Sequence, residues 1–212
     1  MRKMDLKRSG YTFRRNWFRN RNLSTFRDYV FPEWYGERML YLEIGVFEGQ
    51  SICWMLEHVL TCGDARAVGI DPWLLTTKID GQEMEEVMNR AVANVGVATG
   101  SRAEKCALIR ANSAEALRRM CGNRDGWMGV RKKSVDVCMI DGDHNSLAVV
   151  DDARHVLPLM KPGGWMLFDD VENDREKQVH VKQGLAMWFE EAGDSVRLLW
   201  KDRYVECYEV MS

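Results

Sequence analysis

The stretch MIDGDHNS, Met139 to Ser146, places Asp141, Asp143 and His144 within four positions at the end of the apolar run VDVCMI. A second apolar run, WMLF, also ends in adjacent carboxylates, Asp169 and Asp170. Carboxylates and an imidazole gathered at strand ends suit two kinds of chemistry: holding a hard divalent cation through oxygen ligands, and moving a proton. The same residues also fit a structural role, because Asp-Gly is an ordinary turn and aspartate an ordinary helix cap. Which reading holds depends on the elements that position them.

Those elements alternate. Short apolar, β-rich runs at Met39–Gly45, Ala67–Asp71, Ala107–Ala111, Val135–Asp141 and Trp165–Asp170 are separated by helical patterns at Ser51–Leu60, Glu83–Val95, Ala114–Met120 and Leu147–Leu157. A fifth helical pattern, Val179–Glu191, follows the last of these strands. Such alternation predicts a doubly wound α/β fold with a mostly parallel sheet covered on both faces. The runs VRLLW and YVECYEV are separated by Lys201, Asp202 and Arg203 alone, too few residues for a parallel crossover, so they predict a C-terminal antiparallel hairpin. Ser51 is a capping-type residue for its helix, and Asp143 is read as a cap for the helix after the fourth strand. Lys161-Pro162-Gly163-Gly164 reads as a turn feeding the fifth strand, and Cys121–Lys133 as a surface excursion.

A chain of 212 residues, 46% hydrophobic and 29% charged, is of the size and composition of one globular domain. It has no apolar run of the roughly 18 residues that a membrane span requires, and its first residues lack the apolar core of an export signal. No membrane partner is expected, and the expected compartment is the cytoplasm. Six cysteines occur without C-x-x-C pairs or zinc spacing, so reduced thiols are expected.

Where the first strand runs into its helix, YLEIGVFEGQS carries Glu43, Gly45, Gly49 and Ser51. Glycines at such a turn let a ligand approach the backbone, and the helix that follows offers free N–H groups. Asp71 ends the second strand, where a carboxylate can accept both hydroxyls of a ribose. The strict G-x-G-x-x-G fingerprint is absent because Phe47 stands two after Gly45. An acidic residue two before the first glycine, with glycine four after it, instead resembles the first motif of class I S-adenosylmethionine-dependent methyltransferases. IDGDH, then VVDDARHVLPLMKPGG, then FDD is similar to the group that includes the macrocin-type O-methyltransferases and the cephalosporin-hydroxylase-like proteins. The resemblance spans about residues 39 to 210.

That resemblance implies S-adenosylmethionine as cofactor. Glu43, Gly45, Gly49 and Ser51 would lie at its methionine end, Asp71 at the ribose, Trp73, Asn112 and Ser113 at the adenine, and Asp141 alongside. It also implies Asp141, Asp169 and Asp170 as ligands of a divalent cation, Mg²⁺. The charge pattern points the same way: neighbouring strands lie about 4.8 Å apart, and three carboxylates at one edge repel unless a cation sits between them. Asp169 and Asp170 can both reach it only if the strand breaks there. His144 precedes a helix whose positive end, with a nearby cation, would keep the ring neutral. The resemblance makes it the base that takes a proton from an acceptor hydroxyl. One departure is Ser146, where related sequences carry an aromatic residue.

Residues 1–38 lie outside the predicted domain of residues 39–212. Their first 27 residues hold Arg2, Lys3, Lys7, Arg8, Arg14, Arg15, Arg19, Arg21 and Arg27 against Asp5 alone, so the arm carries +8 and the remainder −10. With Tyr11, Phe13, Trp17, Phe18 and Phe26 interleaved, the arm fits either a nucleic-acid or acidic partner or a segment packed on the domain's own acidic surface. The expected activity is metal-assisted O-methyl transfer to a small-molecule hydroxyl acceptor. A nucleic-acid-binding protein or nucleic-acid methyltransferase using the arm is the alternative, and a nicotinamide-dependent oxidoreductase ranks below both.

Overall fold

The computed structural model describes all residues except 1–4, 7–8, 75–76, 80, 172–178 and 212, and gives no side-chain placement for Lys78 or Val179. Arg2, Lys3, Lys7 and Arg8 of the basic arm therefore lie outside the described residues. The strands are β1 (Leu40–Ile44), β2 (Arg66–Asp71), β3 (Lys78–Ile79), β4 (Gln82–Glu83), β5 (Cys106–Arg110), β6 (Val135–Ile140), β7 (Met160–Phe168), β8 (Val196–Lys201) and β9 (Glu206–Val210). Among the described residues, seven of them form one sheet in the order β5-β2-β1-β6-β7-β9-β8, while β3 and β4 make a separate small hairpin. β5, β2, β1, β6 and β7 are parallel, and β9 is antiparallel to both β7 and β8. This is the doubly wound, mostly parallel sheet with a C-terminal antiparallel hairpin that the sequence predicts.

The central strand β6 is buried along its whole length because helices cover both faces, which is why VDVCMI reads as an unbroken apolar run. Asp136 is its exception: the carboxylate accepts from the Leu40 amide at 2.8 Å and from Lys161 Nζ at 2.6 Å. Residues 161–164 bulge out of β7, since Val135 pairs with Met160 but Val137 with Trp165. The predicted turn is thus an excursion inside the strand, not a segment before it.

The larger helices are α4 (Gln50–His58), α5 (Met84–Thr99), α6 (Ser113–Gly122), α7 (Ser146–Val156) and α8 (Val179–Ala192). They are preceded in the arm by α1 (Trp17–Arg21), α2 (Leu23–Thr25), a π-helical turn at Phe26–Val30 and α3 (Phe31–Trp34). One apolar cluster joins the sheet to α4, α5 and the arm, and a second joins the opposite face to α6, α7 and α8. Phe26 and Val30 are fully buried in the first, and Phe18 packs edge-on against Phe26 at 5.0 Å. The arm's apolar stripe is therefore part of the domain's core.

Two cap readings are corrected. α4 begins at Gly49 in the left-handed region, φ 79°, and Ser51 donates instead to Glu43 at 2.7 Å. α7 is capped by Asn145, whose side chain accepts from the Leu147 amide. Asp143 accepts from the Asn145 amide and so shapes the turn before the cap.

Candidate active site

The strand order reverses between β1 and β6, the place where doubly wound sheets leave a crevice at the carboxyl ends of their strands. At this point the backbone amide of Asp141 donates to Ile44 and that of Gly45 to Ile70. Gly45 has φ +86°, and a Cβ there would lie 1.8 Å from the Asp141 carbonyl oxygen. The close approach that this glycine permits is to the chain's own β6, and it brings the two site-bearing loops into contact.

The turn after β1 is fixed from several directions. Phe47 adopts φ +51°, rare for a bulky residue. Its amide donates to Asp71 Oδ2 at 2.9 Å, its carbonyl accepts from Trp73 Nε1 at 3.0 Å, and its ring stacks on Trp17 at 4.8 Å. Asp71 Oδ1 accepts from the Trp73 amide at 2.8 Å. Trp73 is 1% exposed, so its ring braces this turn. Glu43 is fully buried and accepts from Tyr41 Oη and Ser51 Oγ, both at 2.7 Å. Burial pushes its carboxyl up to about 8, against the opposing pull of those two hydroxyls. Burial also raises Asp71. Asn112 caps α6 by accepting from the Ala114 amide. Ser113 beside it hydrogen bonds to Asp152, whose carboxyl burial raises to about 6. The chemistry of this donor set, a buried acid, glycine turns, a helix start and an acid at the end of β2, fits a cofactor bearing an amino acid and a ribose.

On the β6–β7 side the strand breaks as expected: Asp170 takes φ +58°, turning its side chain away from the alternation of β7. Asp141, His144 and Asp170 each present a ligand atom, all within 4.8 Å of one another. His144 Nε2 lies 3.5 Å from Asp141 Oδ1, and Nδ1 lies 3.7 Å from Asp170 Oδ2. Asp169 sits behind, accepting from the Asp170 amide at 2.7 Å and from Asn22 Nδ2 at 2.6 Å. Burial raises its carboxyl well above the usual range, reinforced by Asp141 and Asp170. Burial likewise raises Asp141, opposed by its bond to His144. For the protein groups alone, the Asp141 hydrogen bond outweighs burial and raises the pKa of His144. Oxygen donors in this number suit a hard divalent cation. Asn22 adds a sign of the same kind: it is 4% exposed, and its Oδ1 has no hydrogen-bond partner among the described residues.

Next to Ser146 it is Gly184 that has a packing reason. A Cβ on Gly184 of α8 would lie 2.4 Å from the Ser146 carbonyl, so the two helices meet backbone to backbone at this point.

The arm supplies contacts that sequence reasoning did not anticipate. Arg21 Nη1 donates to Asp170 Oδ1 at 2.7 Å, and Thr25 hydrogen bonds to Asp202. The buried Glu48 accepts from the Arg14 and Arg15 amides and from Arg90. Arg14, Arg19 and Arg27 pair with Glu86, Asp5 and Asp28. Arg19 and Arg27 thus pair within the arm itself, while for the pairings that cross the fold single-residue periodicity carries no signal and only the +8/−10 charge split hinted at them.

Residues 42–171, more than half of the chain, match the family model described as Methyltransferase domain. A curated relative, the uncharacterized protein R132 of Acanthamoeba polyphaga mimivirus, is 27% identical over 137 residues, covering 65% of this chain and 53% of its own. The chain thus spans about half the length of that relative. Among solved structures, an O-methyltransferase from Bacillus cereus in complex with SAH superposes with a TM-score of 0.57 at 16% identity, covering 81% of this chain and 74% of that one. A candidate rRNA methylase from Clostridium thermocellum superposes with a TM-score of 0.65 at 10% identity, over 90% and 96%. At these identities the superpositions show a shared fold.

Proposed function

Because this chain belongs to the Methyltransferase domain family, we propose that it transfers a methyl group from S-adenosylmethionine to a hydroxyl oxygen of a small-molecule acceptor, assisted by Mg²⁺. The observation that carries this reading is the convergence of Asp141, His144 and Asp170 within 4.8 Å, beside the glycine turn after β1. When bound, the cofactor supplies a methyl already activated by its sulfonium, and the cation supplies positive charge that acidifies an acceptor hydroxyl. Asp141 and Asp170, with Asp169 behind them, would hold that cation through oxygen. Imidazole nitrogen is the poorer ligand for Mg²⁺, which leaves His144 to take the hydroxyl proton in its neutral form. Glu43, Gly45, Gly49 and Ser51 would position the methionine end, Asp71 the ribose, and Asn112 and Ser113 the adenine, with Trp73 holding the Phe47 turn. The chain's contribution is alignment and proton removal, because the methyl carbon needs no covalent help.

The test is a screen with methyl-labelled S-adenosylmethionine against sugar hydroxyls, phenols, amines and RNA, with and without EDTA. The expected outcome is an O-methylated small molecule whose formation stops with chelator. Transfer to nitrogen or RNA, or transfer indifferent to EDTA, would overturn the acceptor or the metal part of the reading respectively.

A further inference from the structure

The arm reaches the carboxylates through two adjacent side chains of different character. Asn22 is buried and bonded to Asp169. Arg21 is 27% exposed at its side chain and bonded to Asp170, the residue that also faces His144. Asp170 is therefore claimed twice: Arg21 holds its Oδ1, and its carboxylate is one of the three groups gathered to suit a cation. We propose that Arg21 is the site's internal counter-ion, holding the carboxylates assembled until a divalent cation arrives, and that the two cations exchange at Asp170. The proposal rests on the metal reading above. Arg21 lies outside the residues 42–171 that match the family, so this feature belongs to the arm.

Three observations support it. First, Asp141 and Asp170 present carboxylate oxygens within 4.8 Å of each other, with Asp169 next in the chain, so like charges crowd one edge, and Asp170 is held in a left-handed conformation. A guanidinium cannot release its proton, so Arg21 offsets that repulsion at any ordinary pH. Second, the same permanence makes it a competitor, because a cation bound at Asp170 would face a fixed positive charge on the same carboxylate. Third, Arg21 has another place to rest. Its guanidinium already lies 5.8 Å from the centroid of the Tyr204 ring, within range for a cation–π contact, and its side chain reaches solvent. Asn22 and Phe18 on either side are buried, so the exchange is a swing of one side chain while the arm stays docked.

The experiment is a titration of the full chain with MnCl₂ followed by calorimetry, for wild type, Arg21→Ala, Arg21→Gln and Asp170→Asn, together with arginine side-chain NMR of wild type titrated with MgCl₂. Removing the competing charge should tighten Mn²⁺ binding by at least about tenfold in both Arg21 variants. The Mn²⁺-induced rise in Tm should be larger than in wild type, since the metal-free variants lose their counter-ion. Asp170→Asn should abolish binding. In wild type, the Arg21 Nε resonance should move on Mg²⁺ addition. Arg21→Gln keeps an uncharged polar donor on a shorter side chain, and the NMR readout needs no variant, so poor folding of Arg21→Ala leaves the test intact. Equal or weaker Mn²⁺ binding in the variants, with the Arg21 resonance unmoved while metal binds, would overturn the exchange and leave the metal site standing. Absence of Mn²⁺ binding in wild type and variants alike would overturn the metal reading and the exchange with it.

Discussion

At the scale of single residues, the site contains two kinds of titratable group. Glu43 is a structural acid made costly by burial, and its carboxyl sits at about 8 instead of 4.5. A raised folded-state pKa means that the native protein holds the proton more tightly than the unfolded chain, so Glu43 lowers stability progressively as pH rises from about 4.5 to 8. Glu43→Gln should remove that slope, leaving stability near pH 5 little changed and raising it above pH 8 by up to a few kcal/mol. Urea titrations at the two pH values check this. His144 is of the other kind. His144→Ala should lower turnover by about 10² to 10⁴ while S-adenosylmethionine affinity, read by calorimetry, stays within a few-fold. Parallel loss of cofactor binding would make the residue structural.

At the scale of elements, the decisive contact is between the loop after β1 and the end of β6. Gly45→Ala would place a methyl 1.8 Å from the Asp141 carbonyl in a left-handed backbone. It should cost more than about 2 kcal/mol and weaken cofactor binding by separating the loops. A thermal melt showing an unperturbed protein would refute the geometry of this junction. The arm is the second element of consequence. Phe26 is fully buried between Phe18 and Trp54, so Phe26→Ala should destabilise the whole domain by about 3 to 5 kcal/mol. A melt in which only the arm loosens, with the domain's Tm unchanged, would make the arm an appendage.

At the scale of the whole molecule, the arm reaches the carboxyl ends of β6 and β7 beside the switch point of the sheet, where doubly wound folds leave a crevice. No described helix is long and apolar enough to cross a membrane. A ligand seated in such a crevice stabilises the whole fold by linkage. S-adenosylhomocysteine at about 100 times its Kd should therefore add about 2.7 kcal/mol to unfolding. Differential scanning calorimetry reads this as a raised Tm, and no shift at high ligand concentration would count against the cofactor. The arm's charge, which in isolation suggests an acidic partner, is spent partly within the molecule on Glu86, Asp5, Asp28 and Asp170.

The sequence by itself determined the strand alternation, the terminal hairpin and the placing of Asp71, Asp141, Asp169 and Asp170 at strand ends. These are local properties: apolar runs, their length and the residue that stops them. Which polar groups pair across the fold was decided only by tertiary structure. Ser51 looks like a cap until Glu43 is seen buried beneath it. Trp73 looks like a ring awaiting a ligand until its indole is seen bonded to Phe47 and covered. Arg21 looks like one charge among nine until the fold carries it across 149 residues to Asp170. A helix or strand announces itself in its own few residues, whereas a hydrogen bond between distant segments depends on topology and on the position of each segment on the sheet.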